Sequence, residues 1–494
     1  MPLPSRDLSA AASCSAPAGG ALPHHLPAAR ERALDVLLDP ALAHVVDLVC
    51  WTEHGLVHVA DSLGHVALAP DGGARLLAGR DPVADQDPYG DGPDTYPFAA
   101  VRLHSLFADP RAPDLAVVHT GAHFWPERGG HLGEHGSLNG PQSRAPLLLS
   151  GAGVTARGVV DGVARTVDIG ATLAALTGAP YDDMDGRPVE LVVPRARHVV
   201  GLLWDGAPCS ELLALAAAGE LPAVSRLLAR GCVLRGGAVA EFPSVTLVNH
   251  TCALTGVGPG RHGIVHNAFY DRETGEQVVP NSSGVWHRSM DYLRPGVRTV
   301  WERLPPGASS ACVNEPCDRG ATYSTFALMR ASGQGGTDTL AASLPPAAGD
   351  RHATQEHAAA HRDYAWSTQV DAAGLEQVLD LWRDGEPPLL TWWNTTLTDT
   401  GHHTGGPSSR VARDSMRDSD RRLGVWLDLV EARGLADDVT VLLTADHGSE
   451  AADPACRGDW DEALRAAGVA FRDEAYGFIY LGYDVAPDRP ETGS

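Results

Sequence analysis

No lysine occurs among the 494 residues, so all 38 basic side chains are arginines. That absence excludes a P-loop phosphate lysine, a pyridoxal Schiff base and a lysine general base together. Positive charge is scarce as well: 62 Asp and Glu give a formal charge of −24, opposite to the basic footprint of a nucleic-acid scaffold. No apolar run approaches the roughly 20 residues of a membrane span. Met1 to Arg32 is rich in Ala, Pro and Ser, with no basic start and no long apolar stretch, so it does not read as a signal peptide. The eight cysteines (Cys14, Cys50, Cys209, Cys232, Cys252, Cys312, Cys317 and Cys456) lack the paired spacing of a zinc ribbon. The nearest pair, Cys312 and Cys317, reads as two reduced thiols. These absences point to a cytoplasmic protein with neither nucleic acid nor membrane as partner, and they leave the oligomeric state open.

What is present suits one large α/β domain with insertions. Apolar residues make up 44% of the chain, and 54 Gly with 36 Pro imply many turns. Residues 1–30 read as a disordered leader, with a helix beginning at Ala28. Short apolar runs at Val45 to Trp51, Leu56 to Ala60 and His65 to Ala69 predict a small antiparallel meander. Asp114 to His119 and Ala145 to Ser150 read as buried strands, and Arg165 to Gly178 as a helix closed by glycine. His198 to Trp204 is the clearest buried strand. A helix over Pro208 to Arg230 then returns the chain, the alternation of a parallel sheet with crossovers.

Three predicted strands run into acidic residues, at Asp205, Asp399 and Asp446. Ligands of open α/β sheets bind beyond the carboxyl ends of strands, so these carboxylates can converge. Converging carboxylates repel unless cations neutralise them. With His403 and His447 beside them, the mixed oxygen and nitrogen donors suit Zn2+ or Mn2+ better than Mg2+. Upstream, Pro243 and Ser244 lead into a helix running to about Gly256, which puts Thr246 among the exposed amides of its first turn. A helix dipole worth ~1 kcal/mol cannot ionise a threonine hydroxyl near neutral pH, so a metal is expected to assist it.

The stretch from Glu241 to Asp271 contains Thr246, then Asn249-His250, then Gly263-Ile-Val-His-Asn267. It resembles the nucleophile region of the nucleotide pyrophosphatase/phosphodiesterase branch of the alkaline phosphatase superfamily. Asp399-Thr-Gly-His-His403-Thr-Gly-Gly-Pro407 resembles that family's Asp-x-x-x-His-x-x-Gly-Pro metal motif. Asp446-His447-Gly448 resembles its Asp-His-Gly. The resemblance implies Thr246 as nucleophile, Asn267 as phosphoryl-oxygen donor, and Asn249 and His250 as structural residues. It also implies two divalent-metal sites, most simply Zn2+. One holds Asp205, Asp446, His447 and the Thr246 oxygen; the other holds Asp399, His403 and a further histidine. Spacing selects His403, with His402, where the family usually has Gly, as the alternative ligand.

The family supplies its last histidine downstream of Asp-His-Gly, yet no histidine follows His447 here. Gly133-Glu-His135-Gly, Arg144-Ala-Pro-Leu-Leu-Leu-Ser and Val167-Asp-Ile-Gly-Ala-Thr-Leu resemble the family's closing section, moved to the front. The expectation is therefore a circular permutant. Residues 31–190 form the closing half and contribute His135. Residues 191–494 form the opening half, with a cap insertion over about 272–385. The implied fold is an alkaline-phosphatase-like sandwich, a mostly parallel sheet between helices.

The expected activity is hydrolysis of phosphodiester or pyrophosphate bonds in nucleotide-type substrates. Asn267, Phe269, Tyr270 and Trp393 are candidate substrate contacts, the aromatics weighed against core packing. Arg261 is the arginine weighed as a partner for a dianion. Alternatives are a phosphonoacetate-hydrolase-like enzyme, a phosphomonoesterase, or an inactive metal-stabilised binding protein. His119 and His123 read as polar residues at a strand end.

Overall fold

Strands His198–Trp204, Leu390–Thr395 and Val439–Thr444 are buried at every position, the signature of strands covered on both faces. They lie together at the middle of an eight-stranded sheet in a computed structural model that describes residues 26–126, 129–193, 196–282, 284–332 and 350–483. The strand order is Tyr323–Ser324, Ser310–Val313, Leu390–Thr395, His198–Trp204, Val439–Thr444, Leu147–Gly151, Gly231–Leu234, Gly158–Val160. Every neighbouring pair is parallel except those made by Leu147–Gly151, which runs antiparallel to both Val439–Thr444 and Gly231–Leu234. The strand from the front third is thus hydrogen-bonded on both sides by strands from the back. Front and back share one core.

The expected helix over Pro208 to Arg230 is two helices, Cys209–Ala217 and Pro222–Ala229, bent by 89°. Gly219, at φ +75°, turns the chain, and Pro222 starts the second helix where a missing N–H costs nothing. The Asp420 carboxylate then accepts from the amides of Ala223 and Val224. The meander exists but is larger than expected. Val46–Glu53, Leu56–Asp61, Gly64–Leu68 and Ala74–Gly79 continue through Leu115–His119 into Phe478–Leu481 and Phe471–Glu474, a seven-stranded antiparallel sheet.

Two further expectations change. Helix Leu26–Leu37 includes residues assigned to the leader and buries Ala29 and Ala33; residues 1–25 lie outside the described residues. The stretch 272–385 is not only a covering insertion, since Ser310–Val313 and Tyr323–Ser324 form one edge of the central sheet. Among the described residues no single helix is long and apolar enough to cross a membrane.

Candidate metal centre

Helix Thr246–Thr255 begins where the extended residue Val245 (φ −126°, ψ 156°) gives way to Thr246. Asn249 fixes this entry. Its Oδ1 accepts from the Glu241 amide at 2.7 Å, and its Nδ2 donates to the carbonyls of Glu241, Pro243 and Val245. Asn267 Oδ1 accepts from the Leu247 amide at 3.1 Å, satisfying a first-turn donor and leaving the Asn267 amide nitrogen to donate elsewhere. At the other end Gly256 caps the helix at φ +71°. Helix Thr166–Thr177 packs so closely there that a Cβ on Gly170 would stand 2.6 Å from the Gly256 nitrogen.

Asp205 follows the last residue of its strand, and Asp446 lies two residues beyond the end of Val439–Thr444. Asp399 does not end a strand as expected. It sits in the first turn of helix Leu397–Gly405, so His403 falls one turn on, on the same face. His135 arrives from the front third. Gly133–Glu134 pairs antiparallel with Glu450–Ala451, directly after Asp446-His447-Gly448, and the Leu132 amide donates to the His403 carbonyl at 2.8 Å. The loop is also bound to the start of the Thr246 helix: His135 Nδ1 lies 3.1 Å from the Ser244 carbonyl, and the Gly136 amide donates to Ser244 Oγ.

Two groups of donor atoms result, each gathered within 4.8 Å: His135, Asp399 and His403, and Asp205, Asp446 and His447. The His135 and His447 rings stack at 3.8 Å, joining the groups edge to edge. Thr246 stands one helical turn before His250, whose Nε2 is 3.5 Å from Asp446 Oδ2 and 3.8 Å from Asp205 Oδ2. Positions four apart share a helix face, so Thr246 and His250 lie on one side of this helix.

The electrostatics fit a cation in each group. Burial, together with Asp446 and Asp399 nearby, pushes the Asp205 carboxyl well above its usual range. Burial also holds His135 and His403 well below the ordinary imidazole range, which keeps them neutral as metal ligation requires. Burial alone would raise Asp399, but the hydrogen bond from His402 opposes it, and the carboxyl lies well below its usual range. Asp205 Oδ1, His403 Nε2 and His447 Nε2 are buried with no hydrogen-bond partner among the described residues. Buried polar atoms left unpaired at one place, on oxygen and imidazole donors, are what a Zn2+-type ion would satisfy.

Other expected site residues do not join this centre. Phe269 is fully buried in the apolar cluster on the seven-stranded sheet with Arg111 over its ring, Tyr270 packs edge-on to Tyr480, and Trp393 is buried in the core of the eight-stranded sheet. None of the three is placed to stack on a substrate; their apolar surface is spent on packing. Arg261 is engaged by Asp185 and the Asp183 carbonyl. His119 takes a bond from Trp460 Nε1 and lies in neither donor group.

His250, expected to be structural, lies against the carboxylates, with its Nδ1 2.8 Å from Glu315 Oε2. Burial would lower its pKa, but Glu315 and Asp446 outweigh that and raise it well above the ordinary value. Its spacing from Thr246 is the sequence signal that marks its position. Glu315, which also accepts from Trp392 Nε1 at 3.1 Å, has no such signal because it follows a strand in the stretch read as a cap.

A family model described as type I phosphodiesterase / nucleotide pyrophosphatase matches residues 199–491. His135 lies outside the matched stretch. Venom phosphodiesterase from Naja atra is 25% identical over 214 residues, covering 43% of this chain and 22% of that protein, so the match spans about a fifth of the relative's length. Phosphonoacetate hydrolase from Sinorhizobium meliloti 1021 superposes with a TM-score of 0.35 at 24% identity, over 54% of this chain and 59% of that one. Murine ectonucleotide pyrophosphatase / phosphodiesterase 5 superposes with a TM-score of 0.34 at 17% identity, over 51% and 57%.

Proposed function

Because this chain belongs to the type I phosphodiesterase / nucleotide pyrophosphatase family, we propose that it is a metal-dependent hydrolase of phosphodiester or pyrophosphate bonds with Thr246 as nucleophile. The observation that carries the reading is the meeting of His135, Asp399 and His403 beside Asp205, Asp446 and His447. His135 with Asp399 and His403 would hold one divalent ion, and Asp205, Asp446 and His447 with the Thr246 oxygen the other, Zn2+ or Mn2+ in each. Bound there, the ions supply Lewis acidity to phosphoryl oxygens and lower the pKa of a coordinated hydroxyl.

The chain's own residues supply position. Thr246 stands in the first turn of its helix, where the positive end of the helix dipole favours developing negative charge. Its oxygen attacks phosphorus and the ester oxygen leaves; water then releases the phosphoryl group from Thr246. Asn267, held through its carbonyl by the Leu247 amide, donates its amide N–H to a non-bridging oxygen. A neutral donor suits a diester with one charge, and the engagement of Arg261 by Asp185 favours that class over a dianionic monoester. All seven cysteines among the described residues are free thiols, which supports a reducing compartment such as the cytoplasm.

The same reading includes the permuted order, with the front third as the closing half of an alkaline-phosphatase-like fold. Thr246→Ala is expected to lower turnover of bis(4-nitrophenyl) phosphate by at least ~1000-fold, the scale set by loss of a nucleophile, with melting temperature and metal content unchanged. Turnover within tenfold of the parent would remove Thr246 from this role. Parallel rates on phosphonoacetate and on a nucleotide diester decide between the diesterase and the phosphonate hydrolase.

A further inference from the structure

The Asp399 carboxylate faces two imidazoles on its own helix, with different consequences for its two oxygens. His402 Nε2 lies 2.9 Å from Oδ1, a hydrogen bond, whereas His403 Nδ1 lies 3.6 Å from Oδ2. An ionised carboxylate can only accept, so the His402 proton in this contact must be on Nε2. Nδ1 has no hydrogen-bond partner among the described residues. His402 is 1% exposed and lies outside the close group that His135 and His403 make with Asp399.

The space for this ring is made by two glycines. A Cβ on Gly206 would stand 2.4 Å from His402 Nε2, and one on Gly133 would stand 2.8 Å from Nδ1. Gly206 follows Asp205 and donates its amide to Asp446 Oδ1 at 3.0 Å. Gly133 lies two residues before His135. The His402 ring is therefore held between the loops that deliver ligands to both groups, and its hydrogen bond occupies one Asp399 oxygen.

We propose that His402 is a positioning residue, not a ligand. By holding Oδ1 it turns Asp399 so that Oδ2 is the oxygen left to meet an ion that His135 and His403 would hold. Groups that orient ligating side chains tune affinity without touching the ion. The proposal rests on the two-ion reading above.

The test is a Zn2+ titration of metal-free protein against a chromophoric chelator, with visible spectra of the Co2+-loaded form, for the parent, His402→Ala and His402→Gln. The parent is expected to hold two ions. His402→Ala should keep one at the parent's affinity and bind the other about 10–100-fold more weakly, the usual cost of losing such an orienting partner. Glutamine places an amide N–H near the position of Nε2, so His402→Gln should recover affinity to within about threefold. Its Co2+ bands should keep the parent's positions.

Unchanged affinity for both ions in His402→Ala would overturn the proposal. So would shifted Co2+ bands with no recovery in His402→Gln, which would make His402 a ligand. Equal loss of both ions together with a fall in the metal-free melting temperature of both variants would make its role merely structural. A parent that holds fewer than two ions would overturn the two-ion reading itself, and this proposal with it.

Discussion

Gly206 shows how few atoms separate the two donor groups. Its φ of +64° is one that L side chains rarely adopt, its amide bonds Asp446, and a Cβ there would also come within 3.2 Å of Asp399 Oδ1. A side chain at this position has nowhere to go, because the nearest atoms belong to a buried imidazole and a carboxylate. Gly206→Ala is therefore expected to cost about 1–3 kcal/mol in stability through backbone strain. It should also weaken metal binding at both groups by at least ~10-fold, since ligand-orienting contacts carry affinities of that order. Denaturant unfolding of the metal-free variant and Zn2+ competition read the two effects separately. A variant with parental values in both would show that the loop relaxes freely and that the glycine is not required.

The long helix Arg362–Arg383 reaches the centre indirectly. Its Asp371 is fully buried and accepts from the amides of Thr396 and Leu397, at 2.9 and 3.2 Å, so it caps the helix that carries Asp399 and His403. Burial raises its pKa to about 6, against the pull of Arg422 and of those amides. A carboxyl whose folded pKa lies above its unfolded one holds its proton more tightly when folded. Its contribution to stability is full below the unfolded value and is lost as pH rises from about 4 to about 6, worth roughly 3 kcal/mol for two pKa units. Asp371→Asn removes that titration. In the presence of chelator, the melting temperature of the variant should rise relative to the parent between pH 4 and pH 7, and a constant difference across that range would refute the assignment. This cap was not legible in the sequence, because Asp371 is 25 residues from the amides it serves. The strands were legible, since continuous apolar runs bounded by turns leave little alternative. The bend at Gly219 and Pro222 was written in the sequence too, although the apolar pattern on either side reads as one helix.

At the scale of the whole molecule the question is why a chain would split its centre between two distant stretches. The motifs around Thr246, Asp399 and Asp446 are local, so they could be recognised by spacing alone. His135 could be singled out only because the family pattern calls for a further histidine that does not follow His447 here. The position of Leu147–Gly151 between Val439–Thr444 and Gly231–Leu234 could not be read from spacing, for strand order depends on tertiary packing. That order makes the front third integral to the core. Helix Leu26–Leu37 buries Ala33 and Leu37 in one apolar cluster with Trp460, Leu464 and Leu481, so residues 26 and 483 belong to neighbouring elements. A short Gly/Ser linker from Tyr483 to Leu26, with new ends opened between Val193 and Ala196, would restore the order implied by the family resemblance without breaking a strand. If the permuted reading holds, this recut chain should fold, bind metal in the parent's stoichiometry and melt within about 5 °C of it, since surface connections change stability by only ~1 kcal/mol. Its turnover of bis(4-nitrophenyl) phosphate should remain within about threefold of the parent's, as expected where no residue of the centre has changed. A recut chain that is soluble but holds a single ion would mean that His135 reaches Asp399 only when the front third is made first, and the equivalence of the two orders would fail.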